Sequence, residues 1–176
     1  VKAVDSPVSL VGWSLGAMVA TEVAALEPAR VKKLVLLAGT TRFSQAEDGA
    51  ADPVLRVLLQ KIRNSRNEML RDFFSACLPG LSQDRLARKL EDAKSWSNEL
   101  LEEGLRYLRD RELATRIPRI SAATLLVHGG QDQIIAPEAM LRFKQLLPDA
   151  LTREISGAPH ALPETLSEEE LTGVVA

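Results

Sequence analysis

One pentapeptide limits the fold more than anything else in this chain: Gly12-Trp13-Ser14-Leu15-Gly16. The apolar run Val8 to Val11 leads into it and the helix-like run Leu15 to Leu26 leads out. A serine on a sharp strand-to-helix turn is pushed clear of the backbone, next to the unpaired N–H groups of the helix's first turn. Glycines on either side let the chain turn tightly and let other backbone approach. Three fixed positions alone are a weak pattern. The strand before and the helix after make Ser14 a candidate nucleophile rather than an ordinary N-cap serine.

A serine nucleophile needs a base, and the base needs an orienting acid, in the order Ser, acid, His along such a chain. Only two histidines exist, so the test is sharp. His128 ends the strand-like run Ala123 to Val127 and opens His128-Gly129-Gly130-Gln131-Asp132. His160 lies in the turn-rich Ser156-Gly157-Ala158-Pro159-His160-Ala161, after the strand-like run Leu151 to Ile155. Asp132 and His160 each follow a strand, so in a parallel sheet both open on the same carboxyl edge as Ser14. In that arrangement His160 takes the Ser14 proton and Asp132 holds the imidazole. Taken singly, Asp132 reads equally as a turn residue and His160 as a surface loop residue. His128 reads as structural.

On these residues the chain resembles the α/β-hydrolase fold superfamily over nearly its whole length. Within it, the chain is most similar to the pimeloyl-acyl-carrier-protein methyl ester esterases of biotin synthesis. Four stretches carry the likeness: Leu10 to Gly16, Leu101 to Asp110, Leu126 to Pro137, and Gly157 to Ala161. Ala17 departs from it, since many relatives have a second glycine there; tighter helix packing is the expected consequence. The resemblance implies a three-layer α/β fold with a mainly parallel sheet and an inserted helical lid. It also implies a triad of Ser14, Asp132 and His160, with the Leu15 N–H as one oxyanion donor and Trp13 lining the pocket. Trp13 reads equally well as a core aromatic packing the elbow. In the family, several strands and a loop with a second oxyanion donor precede the elbow. The chain therefore corresponds to the C-terminal portion of that fold, with its N-terminal strands missing.

Composition narrows the partners. The chain has 176 residues, a net charge of −2 and 26% charged residues of mixed sign. Bulk charge gives no reason to expect nucleic acid. No apolar run reaches the roughly 18 residues of a membrane span. The single Cys77 excludes an internal disulfide and suits a reducing, cytoplasmic compartment; it reads as a small buried hydrophobe. No His/Cys/Asp cluster has metal-ligand spacing, and the chemistry calls for no cofactor. A monomer is expected.

The pattern divides the chain into hydrolase core over 1–40, a helical lid over 41–116, and core again over 117–176. Between Thr40 and about Arg116 no run is strand-like. Helices are expected over Pro53 to Cys77, Ser82 to Ala93 and Ser95 to Arg109. The first should place Leu55, Leu58, Leu59, Ile62, Met69, Leu70 and Phe73 on one face, as lid core or as a bed for an acyl chain. It is also basic: Arg56, Lys61, Arg63, Arg66 and Arg71 stand against Glu68 alone. That side reads either as a solvated face or as a dock for an acidic partner. In the resembling esterases lid arginines hold acyl carrier protein, which would assign that role to Arg56, Arg63, Arg66 and Arg71. The expected function is a serine carboxylic-ester hydrolase acting on a carrier-bound methyl ester. General carboxylester or lactone hydrolysis, or a catalytically incompetent piece, are the alternatives. A dehalogenase is disfavoured, since its nucleophile would be Asp where Ser14 stands.

Overall fold

The structure is a computed structural model and describes residues 6–43 and 53–170. Four parallel strands form one sheet in chain order: β1 (Val8–Trp13), β2 (Val31–Leu37), β3 (Ala123–Gly129) and β4 (Leu151–Ile155). Strands paired in parallel need crossover connections, and those leave every strand's carboxyl end on one edge.

The central strands β2 and β3 are buried on both faces, hence their continuous apolar runs. Val35, Leu37 and Val127 point to one face and pack with Ala158, Leu162 and Leu166, so α7 (Leu162–Thr165) covers that side. On the other face Leu36 and Leu126 meet Phe143 and Met140 of α6 (Glu138–Leu146). Helix α1 (Leu15–Leu26) packs on β1 and β2. Its buried residues are mostly small, Ala17, Ala20, Ala24 and Ala25, which lets its backbone lie close to the sheet. The helix ends before Pro28, whose ring cannot continue it. A Cβ placed on Gly39 would stand 3.0 Å from the Ala17 Cβ, so the bare Gly39 accommodates the alanine that departs from the family pattern. Each large aliphatic side chain buried here contributes about 1.5–3 kcal/mol relative to exposure.

The chain divides into two units. One holds the residues up to Thr41 and from Glu112 onward; the other is Arg42–Arg111. In the first, the Leu113 N–H donates to the Thr41 carbonyl at 3.0 Å, and Arg116 pairs with Glu22 of α1.

The second unit is helical throughout its described regular elements: α2 (Pro53–Asn64), α3 (Arg66–Cys77), α4 (Gln83–Asp92) and α5 (Asn98–Asp110). Ser82 and Ser97 cap α4 and α5, accepting from the N–H groups of Arg85 and Leu100. The single helix expected over Pro53 to Cys77 is instead two helices broken at Ser65. Asn64 and Ser65 both compete for backbone hydrogen bonds and favour helix ends. The break changes the phase of the apolar stripe. Ile62, Met69 and Leu70 are buried as expected, but Phe73 is exposed and Phe74 takes its place in a core with Leu86 and Ala93. Cys77 is buried, as its composition suggests.

Candidate active site

Ser14 sits between the last residue of β1 and the first of α1, with φ of 54° and ψ of −121°. Positive φ is costly for a residue with a Cβ, and such strain collects where function demands it. Two contacts hold the turn. The Ser14 N–H donates to the Leu37 carbonyl at 2.9 Å, and the Ser14 carbonyl accepts from Ala17 N–H at 2.9 Å. A Cβ on Gly12 would lie 2.4 Å from the Gly16 carbonyl oxygen, so only glycine fits there. Gly16 differs from expectation: a Cβ there meets nothing within 4 Å among the described residues. Leu15 opens α1, so its N–H belongs to the first-turn donors that lack an intrahelical acceptor.

The Ser14 hydroxyl donates to His160 Nε2 at 2.8 Å. His160 Nδ1 donates to Asp132 Oδ2, also at 2.8 Å. An ionised carboxylate can only accept, so in the neutral ring the proton is on Nδ1 and Nε2 is the acceptor for serine. His160 and Asp132 are buried, while Ser14 is partly exposed. The sequence separated these three across most of the chain; the sheet brings them into one hydrogen-bonded line.

Asp132 is held from several sides. Its Oδ1 accepts from the N–H groups of Ile134 at 2.8 Å and Ile135 at 2.9 Å. Burial pushes its carboxyl up, but the contacts from His128, His160 and Ile135 outweigh this and hold it well below the usual carboxylate range. The loops bearing Asp132 and His160 are also tied together. Gly130 N–H donates to Ile155 and Gln131 N–H to Ala158, both at 3.0 Å. A Cβ on Gly129 would stand 2.3 Å from the Ala158 carbonyl oxygen, so these backbones touch directly.

Two contacts here were not legible in the sequence. The Trp13 indole N–H donates to the His160 carbonyl at 2.8 Å. His128, read as structural, is buried with Nε2 2.8 Å from the Ile135 carbonyl and 3.3 Å from Asp132 Oδ2. Burial pushes His128 down, yet the acceptors around it raise it overall. Its position four residues before Asp132 was the one available signal.

The family model for the alpha/beta hydrolase fold matches residues 4–165. The chain belongs to the alpha/beta hydrolase fold family. This alpha/beta hydrolase is 30% identical over 157 residues to the pimeloyl-[acyl-carrier protein] methyl ester esterase of Nitrosospira multiformis, covering 85% of the chain and 60% of that relative. To the enzyme of the same name from Stenotrophomonas maltophilia it is 28% identical over 169 residues, 92% of the chain and 65% of the relative. It thus spans less than two thirds of these relatives' length. Among solved structures, the esterase EaEST of Exiguobacterium antarcticum aligns with a TM-score of 0.84 at 20% identity, over 97% of this chain and 68% of the other. The enol-lactonase of Burkholderia xenovorans aligns at 0.81 and 17% identity, over 96% and 65%. At that identity the two structures share the fold.

Several arginines of the alpha/beta hydrolase's helical unit make contacts inside it. Arg63 of α2 makes a bidentate pair with Glu102 of α5, at 2.8 and 2.9 Å, and Arg106 joins the same carboxylate. Arg63 holds the Glu102 carboxyl below its ordinary value. Arg66 donates to the carbonyls of Ala93 and Trp96, at 2.6 and 2.7 Å. Both thus make contacts within the unit, Arg63 while its side chain stays exposed. Arg56, Arg63 and Arg71 are exposed. Among the described residues no group of three His, Cys, Asp or Glu side chains could hold a metal ion, and no helix is long and apolar enough to cross a membrane.

Proposed function

We propose that this chain carries the reacting residues of a serine carboxylic-ester hydrolase. The observation that carries the reading is the unbroken line from Ser14 Oγ through His160 to Asp132. In this reading Ser14 attacks the ester carbonyl as His160 Nε2 takes its proton. The Asp132 carboxylate stabilises the resulting imidazolium and keeps Nε2 facing serine. The oxygen that gains negative charge is met by the Leu15 N–H at the start of α1. His160 then returns the proton to the leaving alcohol. A water, deprotonated by the same nitrogen, attacks the acyl-enzyme, releasing the acid and restoring Ser14. No cofactor enters any step.

The substrate class we infer is a methyl ester of a dicarboxylic acyl chain carried on acyl carrier protein. Relatives that bear that name support it, as do the exposed Arg56 and Arg71. Trp13, the residue before the nucleophile, lines the substrate pocket in this reading. The test is hydrolysis of a carrier-bound methyl ester beside a free short-chain ester. The carrier-bound ester should turn over with the higher kcat/KM, and Ser14→Ala should lower both rates by about 10⁴-fold or more. Equal rates for the two esters would leave a general esterase, and a Ser14→Ala protein as active as the parent would end the hydrolase reading.

A further inference from the structure

Asp132 lies between two buried imidazoles, and the hydrolase mechanism uses only one of them. His128 is the last but one residue of β3, so strand geometry fixes its ring beside the loop that follows. The Ile135 carbonyl can only accept, so His128 Nε2 carries a proton whether the ring is neutral or cationic. The same nitrogen is 3.3 Å from Asp132 Oδ2, the oxygen that receives the His160 proton contact. Asp132 Oδ1 meanwhile takes the N–H of Ile135, the residue whose carbonyl His128 holds. One histidine thus grips the acid loop at Ile135 and places a positive N–H end beside Oδ2.

We propose that His128 is a positioning residue: it fixes the Asp132 carboxylate in the orientation that faces His160 and draws part of its charge away from His160. This rests on the hydrolase reading above. Without the His128 N–H, the Ile135 carbonyl loses its partner and the turn at Asp132 loosens. The carboxylate charge then falls more fully on His160. The groups that titrate around His128 are Asp132 and, in register on β4, Glu154; His160 lies beyond Asp132.

The experiment measures capture of Ser14 by a fluorophosphonate, an electrophile that takes up an activated serine hydroxyl, as a function of pH. The proteins are the chain and its His128→Phe, His128→Gln and His128→Asn variants, each first shown to be folded by thermal melting. The amide nitrogen of glutamine reaches the Nε2 position; that of asparagine reaches only the Nδ1 position. For His128→Phe and His128→Asn the capture rate should fall by about tenfold or more. The midpoint of its pH profile should move upward. His128→Gln should restore both. If Phe does not fold, the contrast between Gln and Asn carries the test. An unchanged rate and midpoint in folded His128→Asn overturns the inference, as does a slower rate with an unmoved midpoint that Gln does not rescue. No capture by the parent chain removes the hydrolase reading itself, and the inference with it.

Discussion

The Trp13 indole N–H holds the backbone carbonyl of His160 at 2.8 Å, so the residue before Ser14 fastens the loop that carries its base. The two rings also approach, with centroids 5.6 Å apart. Trp13 therefore links the elbow to a residue near the other end of the chain. Trp13→Phe keeps the ring's apolar surface and deletes the donor. It should cost about 1 kcal/mol in urea unfolding and slow fluorophosphonate capture several-fold. Wild-type values for both would show that the hydrogen bond does not position His160.

The glycines predict a contrast in stability. Gly129→Ala drives a Cβ into the Ala158 carbonyl, and Gly12→Ala drives one into the Gly16 carbonyl. Each should destabilise by about 1–3 kcal/mol or prevent folding. Gly16→Ala meets open space in α1 and should stabilise by roughly 0.5–1 kcal/mol through helix propensity. Chemical denaturation of the three variants decides the matter; a loss at Gly16 equal to that at Gly129 would contradict the packing described.

Much of this was legible because local chemistry and topology agree. The strand, Gly12, Ser14 and α1 follow one another with no gap, so the elbow declares itself from contiguous residues. Asp132 and His160 were legible as candidates because each follows a strand in a parallel sheet, which leaves one edge for both. Ser65 was not legible: a single polar residue inside a long apolar periodicity is common in helices, and only the packing of Ile62 with Phe74 requires the break there. The pairing of Arg63 with Glu102 was equally hidden, because α2 and α5 become neighbours only in the folded helical unit.

Acid and base should act on different histidine contacts. Asp132 is held below its ordinary value, so its contribution to stability is present above the usual carboxylate range, near pH 4, and is lost as pH falls through the lower folded value. His128 is raised, so its contribution is fully present below about pH 6.5 and is lost as pH rises through the higher folded value. Melting temperatures should thus decline more between pH 6 and 9 for the parent than for His128→Gln. Parallel curves for the two proteins would rule out this linkage.

Charge on the helical unit should govern carrier recognition through Arg56 and Arg71, both of which are exposed. Reversing both to Glu should lower the preference for carrier-bound over free ester by about tenfold at low salt, less at high salt. Arg63→Glu should instead lower the melting temperature, by separating α2 from α5. Kinetics with the two esters across a salt series measures this, and an unaltered preference in the Arg56/Arg71 double variant would remove the docking role.

The central claim is that Ser14 is a nucleophile activated by His160 and Asp132. Its most direct test is to expose the chain to a fluorophosphonate and map the adduct by peptide mass spectrometry, with His160→Ala and Asp132→Ala alongside. The account predicts a single adduct on Ser14 that disappears in His160→Ala and weakens strongly in Asp132→Ala. An unmodified Ser14 in a folded sample, or an adduct that forms as fast without His160, would contradict it.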